Sequence, residues 1–321
     1  MTPPLVTIGL TTFNAADSVE RAVASALAQT WRPIEVVAVD DCSIDATAEI
    51  LISLAARHPE IRVFRNQTNG GEAVSRNHIL AEARGEFVAF FDDDDCSLPE
   101  RVEAQLHRIL AYERDFADGE PVICHTARRQ CYPDGRERVA PTMGQREGCR
   151  APAGLAVARR ILLGTPLANG YGACATCCQM GRLAVYRALG GFDPRFRRSV
   201  DTEFNIRLAK AGGHFVGIAQ PLVVQTMTRT SDKTLAEQYR CVLLLMDKHR
   251  DVIDSAGQYV FCRRWIVAKQ LWLESRRTEF ALALLSLLFA HPILTARRLA
   301  LALPHVGLNR ALRRFYGGIE G

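Results

Sequence analysis

The chain has 321 residues, 48% of them hydrophobic and 23% charged. That supports one large domain, alone or with an appendage, around a sizeable core, and it excludes disordered and fibrous classes. The formal net charge of +5 is unevenly spread: from Arg240 onward there are thirteen Lys/Arg against six Asp/Glu, and the remainder is slightly acidic. No basic face interleaved with aromatics is visible, so no nucleic-acid partner is expected.

Met1–Pro4 leads directly into a strand-like run, with no secretory signal ahead of it. The ten scattered cysteines are therefore expected to be free thiols in a reducing, cytoplasmic compartment. Cys174, Cys177 and Cys178 form their one cluster. Lacking a second pair or a His at zinc spacing, it reads as packing. The longest uncharged apolar run, Phe280–Ala290, is too short to span a membrane.

Strand and helix patterns alternate over the first hundred residues. Leu5–Thr11 is a short β-forming run. Asp17 can cap a helix to about Gln29, with Val19, Val23, Ala26 and Leu27 on one face. Ile34–Val39 is a second strand, ending at Asp40-Asp41, and Asp45 can cap a helix to Arg57. Ile61–Arg65 is a third strand, and Gly70-Gly71 opens a helix to Ala83. Glu86–Phe91 runs directly into Asp92–Asp95. Pro99 begins a helix to about Tyr112, followed by a strand over Pro121–Thr126. Residues 128–150 read as a loop, residues 173–220 as mixed strand and helix, and the chain beyond Lys233 as helical. Near-continuous apolar strands between helices predict an α/β fold with a mostly parallel sheet covered on both faces. Ligands of such sheets bind beyond the carboxyl ends of the strands, where Thr11, Asp40-Asp41 and Asp92–Asp95 fall.

Four consecutive aspartates at a strand end repel one another, and helix capping accounts for one or two of them. A divalent cation, Mg²⁺ or Mn²⁺, held by one or two carboxylates and by substrate phosphates, accounts for the run. Asp41, on the same rim, can accept hydrogen bonds from a nucleotide base or ribose. No G-x-G-x-x-G follows the first strand and no P-loop occurs, so a metal is the natural holder of phosphates.

VTIGLTTFNAADSVERAVASALAQTWRPIEVVAVDDCSIDAT and NGGEAVSRNHILAEARGEFVAFFDDDDCSLPER resemble the N-terminal half of family 2 glycosyltransferases, and the likeness runs from about Val6 to Gly217. It implies a GT-A fold and transfer, with inversion, of a sugar from a nucleotide diphosphate (a UDP-sugar is the expected donor) to a hydroxyl of a glycan or lipid-linked acceptor, in cell-surface polysaccharide or glycolipid synthesis. By resemblance, Thr11 and Phe13 line the base pocket and Asp41 contacts the base. Asp92-x-Asp94 is the D-x-D element: Asp94 meets the metal, Asp92 serves both metal and donor, and Asp93 contacts the donor sugar or ribose. Within GGFDPRFRRSVDTEFNIRL, Asp201 matches the catalytic base. Its reading from local pattern alone is a helix N-cap.

The chain departs from the family pattern in carrying Val200 where an acid precedes the base, Thr12 where proline is common, and no His near 227–230 to complete the metal shell. Arg76 and Asn77 either support the donor loop or lie on a helix surface. The expected division is a catalytic domain over 1–232, split at 98/99 into donor and acceptor halves, and a helical region over 233–321. Phe280–Ala290, followed by Arg297, Arg298, Arg310, Arg313 and Arg314, suits a helix lying on an anionic membrane surface, here the inner face of the cell membrane, or one packed on protein. A catalytically inactive nucleotide-sugar-binding protein of the same fold is the alternative that Val200 raises.

Overall fold

The computed structural model describes residues 2–227 and 234–302. The chain divides into two compact units, residues 1–157 with 167–228, and residues 158–166 with 229–321.

In the first unit the strands are β1 (Val6–Thr12), β2 (Ile34–Asp40), β3 (Ile61–Arg65), β4 (Phe87–Asp92), β5 (Cys96–Ser97), β6 (Val122–Cys131), β7 (Glu137–Ala140), β8 (Gln179–Arg182) and β9 (His214–Thr226). They lie in the order β3-β2-β1-β4-β8-β6-β9-β5, with β7 paired to β6. Pairing from β3 to β4 is parallel. It turns antiparallel at β8 and is parallel again between β6 and β9, so the sheet is mixed. Helices α1 (Val19–Leu27), α2 (Thr47–Arg57), α3 (Glu72–Glu82) and α4 (Arg101–Phe116) make the crossovers. α5 (Gly154–Leu163), whose residues from 158 on belong to the second unit, α6 (Leu183–Ala188) and α7 (Val200–Lys210) follow.

The central strands are apolar on both faces because helices cover both. Ile8, Leu10, Val36, Ala38, Phe87 and Ala89 all belong to one buried cluster. At about 1.5–3 kcal/mol for each large aliphatic side chain removed from water, such runs hold the sheet rigid behind its polar rim.

Three expectations are corrected. The segment 128–150 is not all loop: β6 continues to Cys131 and pairs with β7 as a hairpin, although Arg128–Gln130 offers no apolar run to betray a strand. Asp17 does not cap α1, whose first turn follows Ser18 without a side-chain cap. The helix after Pro99 begins at Arg101 and reaches Phe116. Asp45 does take the Thr47 N–H at 3.1 Å where α2 starts.

The second unit is helical among its described residues: α8 (Leu235–Lys248), α9 (Arg250–Asp254), α10 (Tyr259–Leu273), α11 (Arg277–Ala290) and α12 (Pro292–Ala302). Leu163, Met246, Ile253, Phe261, Cys262 and Leu287 form its core, which explains why the short stretch 158–166 belongs with the C-terminal helices. Arg298 donates to Leu162 O at 3.1 Å. Arg310, Arg313 and Arg314 lie outside the described residues.

Candidate active site

Parallel register brings the polar strand ends into one row. Thr12 stands opposite Asp40, and Thr11 opposite Asp92. Asp40 is fully buried and serves the framework: it accepts from Ser43 N at 3.2 Å and pairs with Arg65 Nε at 3.1 Å. Asp41 accepts from Asn66 Nδ2 at 2.7 Å, Gly70 N at 3.0 Å and Gly71 N at 2.7 Å. Both its oxygens thus hold the loop before α3, and a ligand would meet only the acceptor capacity left over. Phe13 is 45% exposed beside the rim, and its N–H donates to Asp93 Oδ2 at 2.8 Å.

The four aspartates have different settings. Asp92 accepts from Arg76 Nη2 at 3.3 Å, and burial pushes its carboxyl up to about 6 against the pull of that guanidinium. Burial carries Asp93 to about 8, opposed by the Phe13 N–H. Asp95, 5% exposed, is raised to about 10 by burial and then by the nearby Cys177, Asp92 and Asp94. Asp95 Oδ1 accepts from Thr226 N at 2.9 Å, while its Oδ2 is buried with no hydrogen-bond partner. The Asp94 backbone carbonyl accepts from Arg21 Nη2 at 3.2 Å.

Ligand atoms of Asp92, Asp95 and Cys177 lie within 4.8 Å of one another. An orphaned buried oxygen and crowded carboxyls whose ionisation burial disfavours are what a divalent cation would relieve, so the residues present fit one. This group is not the pair Asp92 and Asp94 that the resemblance implies. Asp94 is not a member of this group, whereas Asp95, one residue on, is. Cys177, read from sequence as packing, stands among the acids as well as in the core. Its C-x-x-C-C setting held no signal of this, because the acids lie more than eighty residues away. A hydrogen bond with Cys178, then burial, holds the Cys177 thiol well above its ordinary range. Of Met227–Thr230, the stretch where a His would complete the metal shell, only Met227 is among the described residues.

Asp201 lies in the first turn of α7, behind Ser199 in a left-handed conformation at φ 62°. Thr202 N and Oγ1 donate to its Oδ1 at 2.7 and 3.2 Å, and Val200 beside it is buried. Arg76 relates the two acidic regions. It is 3% exposed, and burial works against its charge. Glu72, Asp92 and Asp201 outweigh that penalty and raise its pKa. Arg76 is thus a buried cation of the site and not a helix-surface residue.

The sequence pattern of glycosyl transferase family 2 matches residues 7–185, and the chain belongs to that family. It is 34% identical over 212 residues to the protein EpsE of Bacillus subtilis, covering 65% of this chain and 68% of EpsE. To the succinoglycan biosynthesis protein ExoO of Rhizobium meliloti it is 38% identical over 105 residues, 33% of this chain and 30% of ExoO. The chain spans half or less of the length of several curated relatives it matches. Its fold is that of S. aureus TarS 1-349, solved in complex with UDP-GlcNAc: TM-score 0.60, 19% identity, 83% of this chain and 71% of that one. This is the GT-A fold.

Proposed function

We propose that the chain transfers a sugar, with inversion, from a UDP-sugar to a hydroxyl of a glycan or lipid-linked acceptor in polysaccharide or glycolipid synthesis, and that it uses a divalent cation. The observation that carries this reading is electrostatic. One buried guanidinium, Arg76, answers both to the acid cluster at the end of β4 and to Asp201 at the start of α7. Arg76 pairs with Asp92 at 3.3 Å and also feels Asp201, which supports a candidate base near the site for a diphosphate. The UDP and UDP-GlcNAc complexes of TarS and the succinoglycan role of ExoO support the donor and acceptor classes. The catalytic part is residues 1–232 and the helical region 233–321.

In this reading Thr11 and Phe13 border the base, with Phe13 offering its exposed ring. Asp41 shapes the pocket by fixing Gly70-Gly71. Asp93, anchored on Phe13 N, faces donor sugar or ribose. Asp92, with its neighbours in the acid run, would hold Mg²⁺ or Mn²⁺, which supplies neutralisation of charge on the leaving diphosphate. Asp201, oriented by Thr202, accepts the proton of the acceptor hydroxyl as the hydroxyl attacks the anomeric carbon from the face opposite the diphosphate.

A second reading, a nucleotide-sugar-binding protein without turnover, draws on the buried Val200, which leaves Asp201 without an adjoining acid. Screening nucleotide sugars with Mn²⁺ by thermal shift, followed by assay of UDP release with acceptor glycans, separates the two. Stabilisation with turnover supports the transferase. Stabilisation without turnover on any acceptor supports the binding protein, and no response to any donor sinks both.

The apolar residues exposed on α11 and at the start of α12, among them Leu285, Phe289 and Ile293, support a peripheral place at the inner face of the cell membrane. Among the described residues no helix is long and apolar enough to cross a membrane.

A further inference from the structure

The 3-10 turn Thr176–Cys178 directly precedes β8 and brings Cys177 to the acid cluster at the end of β4. Its sulfur lies within 4.8 Å of carboxylate oxygens of Asp92 and Asp95. The Cys177 residue is 3% exposed, and Asp95, one of the two acids beside it, has a buried oxygen with no hydrogen-bond partner. Arg128 Nη1 and Gln225 Nε2 both reach the sulfur at 3.7 Å. The Arg128 guanidinium pulls toward an anionic sulfur, but the Cys178 hydrogen bond and burial outweigh it and hold the thiol above its ordinary range, so the thiolate has to be formed by the metal. Packing alone would have been served by an alanine or valine, and it does not call for two polar donors aimed at the side chain.

We propose that Cys177 Sγ is a protein ligand of the divalent cation, alongside Asp92 and Asp95, and that this sulfur tilts the site toward Co²⁺ and Zn²⁺ relative to Mg²⁺. The inference rests on the divalent-cation reading above and assigns its third ligand. As the metal binds, the Cys177 thiol and the Asp95 carboxyl each give a proton to the buffer, and the metal–sulfur and metal–oxygen bonds form in their place. Two carboxylates and one thiolate then face one divalent cation, with the Arg128 guanidinium at the sulfur and the Arg76 guanidinium 3.3 Å from Asp92. A thiolate adds affinity for softer ions, whereas an all-oxygen set suits Mg²⁺.

The test is a Co²⁺ titration of the full chain in the presence of UDP, read at two wavelength ranges. Visible d–d bands report cobalt uptake, and a near-ultraviolet sulfur-to-cobalt charge-transfer band reports a bound thiolate. The expected result is both signals in the unsubstituted chain. C177S should lose the charge-transfer band and bind Co²⁺ on the order of tenfold or more weakly, and C178S should keep both signals. The unsubstituted spectrum decides the matter even if C177S folds poorly. Visible bands without charge transfer would overturn the sulfur ligand and leave the carboxylate site standing. A charge-transfer band that survives C177S would overturn it in favour of another cysteine. No uptake of Co²⁺ or Mn²⁺, by absorption or by calorimetry, would remove the divalent-cation reading and this inference with it.

Discussion

Asn77 and Phe192, 115 residues apart, hold each other by a reciprocal pair of hydrogen bonds. The Asn77 amide donates to Phe192 O at 2.7 Å, and Phe192 N donates to Asn77 Oδ1 at 2.7 Å. A side chain on α3 thus mimics a strand partner for the Gly190–Asp193 turn ahead of α7. Gly191 adopts φ +69°, and a Cβ there would collide with Asn77 Oδ1, so the turn accepts glycine alone. N77A leaves two partly buried backbone groups without partners and is expected to cost about 1–3 kcal/mol in chemical denaturation. N77D keeps the acceptor and loses the donor, so its cost should be similar or larger. A melt unchanged in both variants would show that the turn holds without the clamp.

D201N keeps shape and can still accept from Thr202, but it removes the proton acceptor. Turnover should fall by about 10²–10⁴-fold with UDP-sugar affinity nearly unchanged, as measured by initial rates together with calorimetric donor titration. Turnover at the unsubstituted rate would return Asp201 to a structural role in the first turn of α7.

His125 is fully buried on β6, with Gln179 Nε2 3.0 Å from its Nε2. Burial, aided by Arg128 and Arg101, depresses its pKa from 6.5 to about 3. The folded state therefore binds fewer protons than the unfolded state between those values. The neutral ring's contribution is fully present above pH 6.5 and is lost as pH falls toward 3, with a slope of at most about 1.4 kcal/mol per pH unit. H125N, of similar polarity and unable to titrate, should show a flatter loss of stability on acidification. Parallel denaturation curves for the two proteins across that window would contradict the assignment.

Phe289 and Leu285 are 88% and 52% exposed on α11, a helix whose buried contact is Leu287. The double variant L285E/F289E should fold as the parent does and lose co-sedimentation with vesicles containing anionic lipid. The parent should stay bound in part at high salt, because apolar burial is not screened. Equal recovery of both proteins in the supernatant at low salt would end the membrane reading.

The parallel sheet and its polar rim were legible because β1, β2 and β4 are apolar on both faces and end on polar residues, a pattern that buried parallel strands enforce. The hairpin of β6 and β7 was not, because its paired segments, Arg128–Cys131 and Glu137–Ala140, carry three arginines and neither an apolar run nor a clear alternation. Site geometry divides in the same way. The acid run was visible as a cost that local structure cannot explain. Which acids converge was hidden, since a one-residue step along the chain exchanges Asp94 for Asp95 in the group with Cys177. The inward direction of Arg76 depended on a partner sixteen residues away, and that of Asn77 on one beyond any local window.

Asp41 closes both its oxygens on the amides around Gly70-Gly71, and this has a consequence for solvent exchange. Those two glycine N–H groups lie in a loop, yet a buried carboxylate shields them. Their deuterium uptake should therefore track the opening of the β2 end instead of loop fraying. A loop that moves with the sheet is already ordered, so the nucleotide binding proposed above would forfeit little chain entropy at that edge.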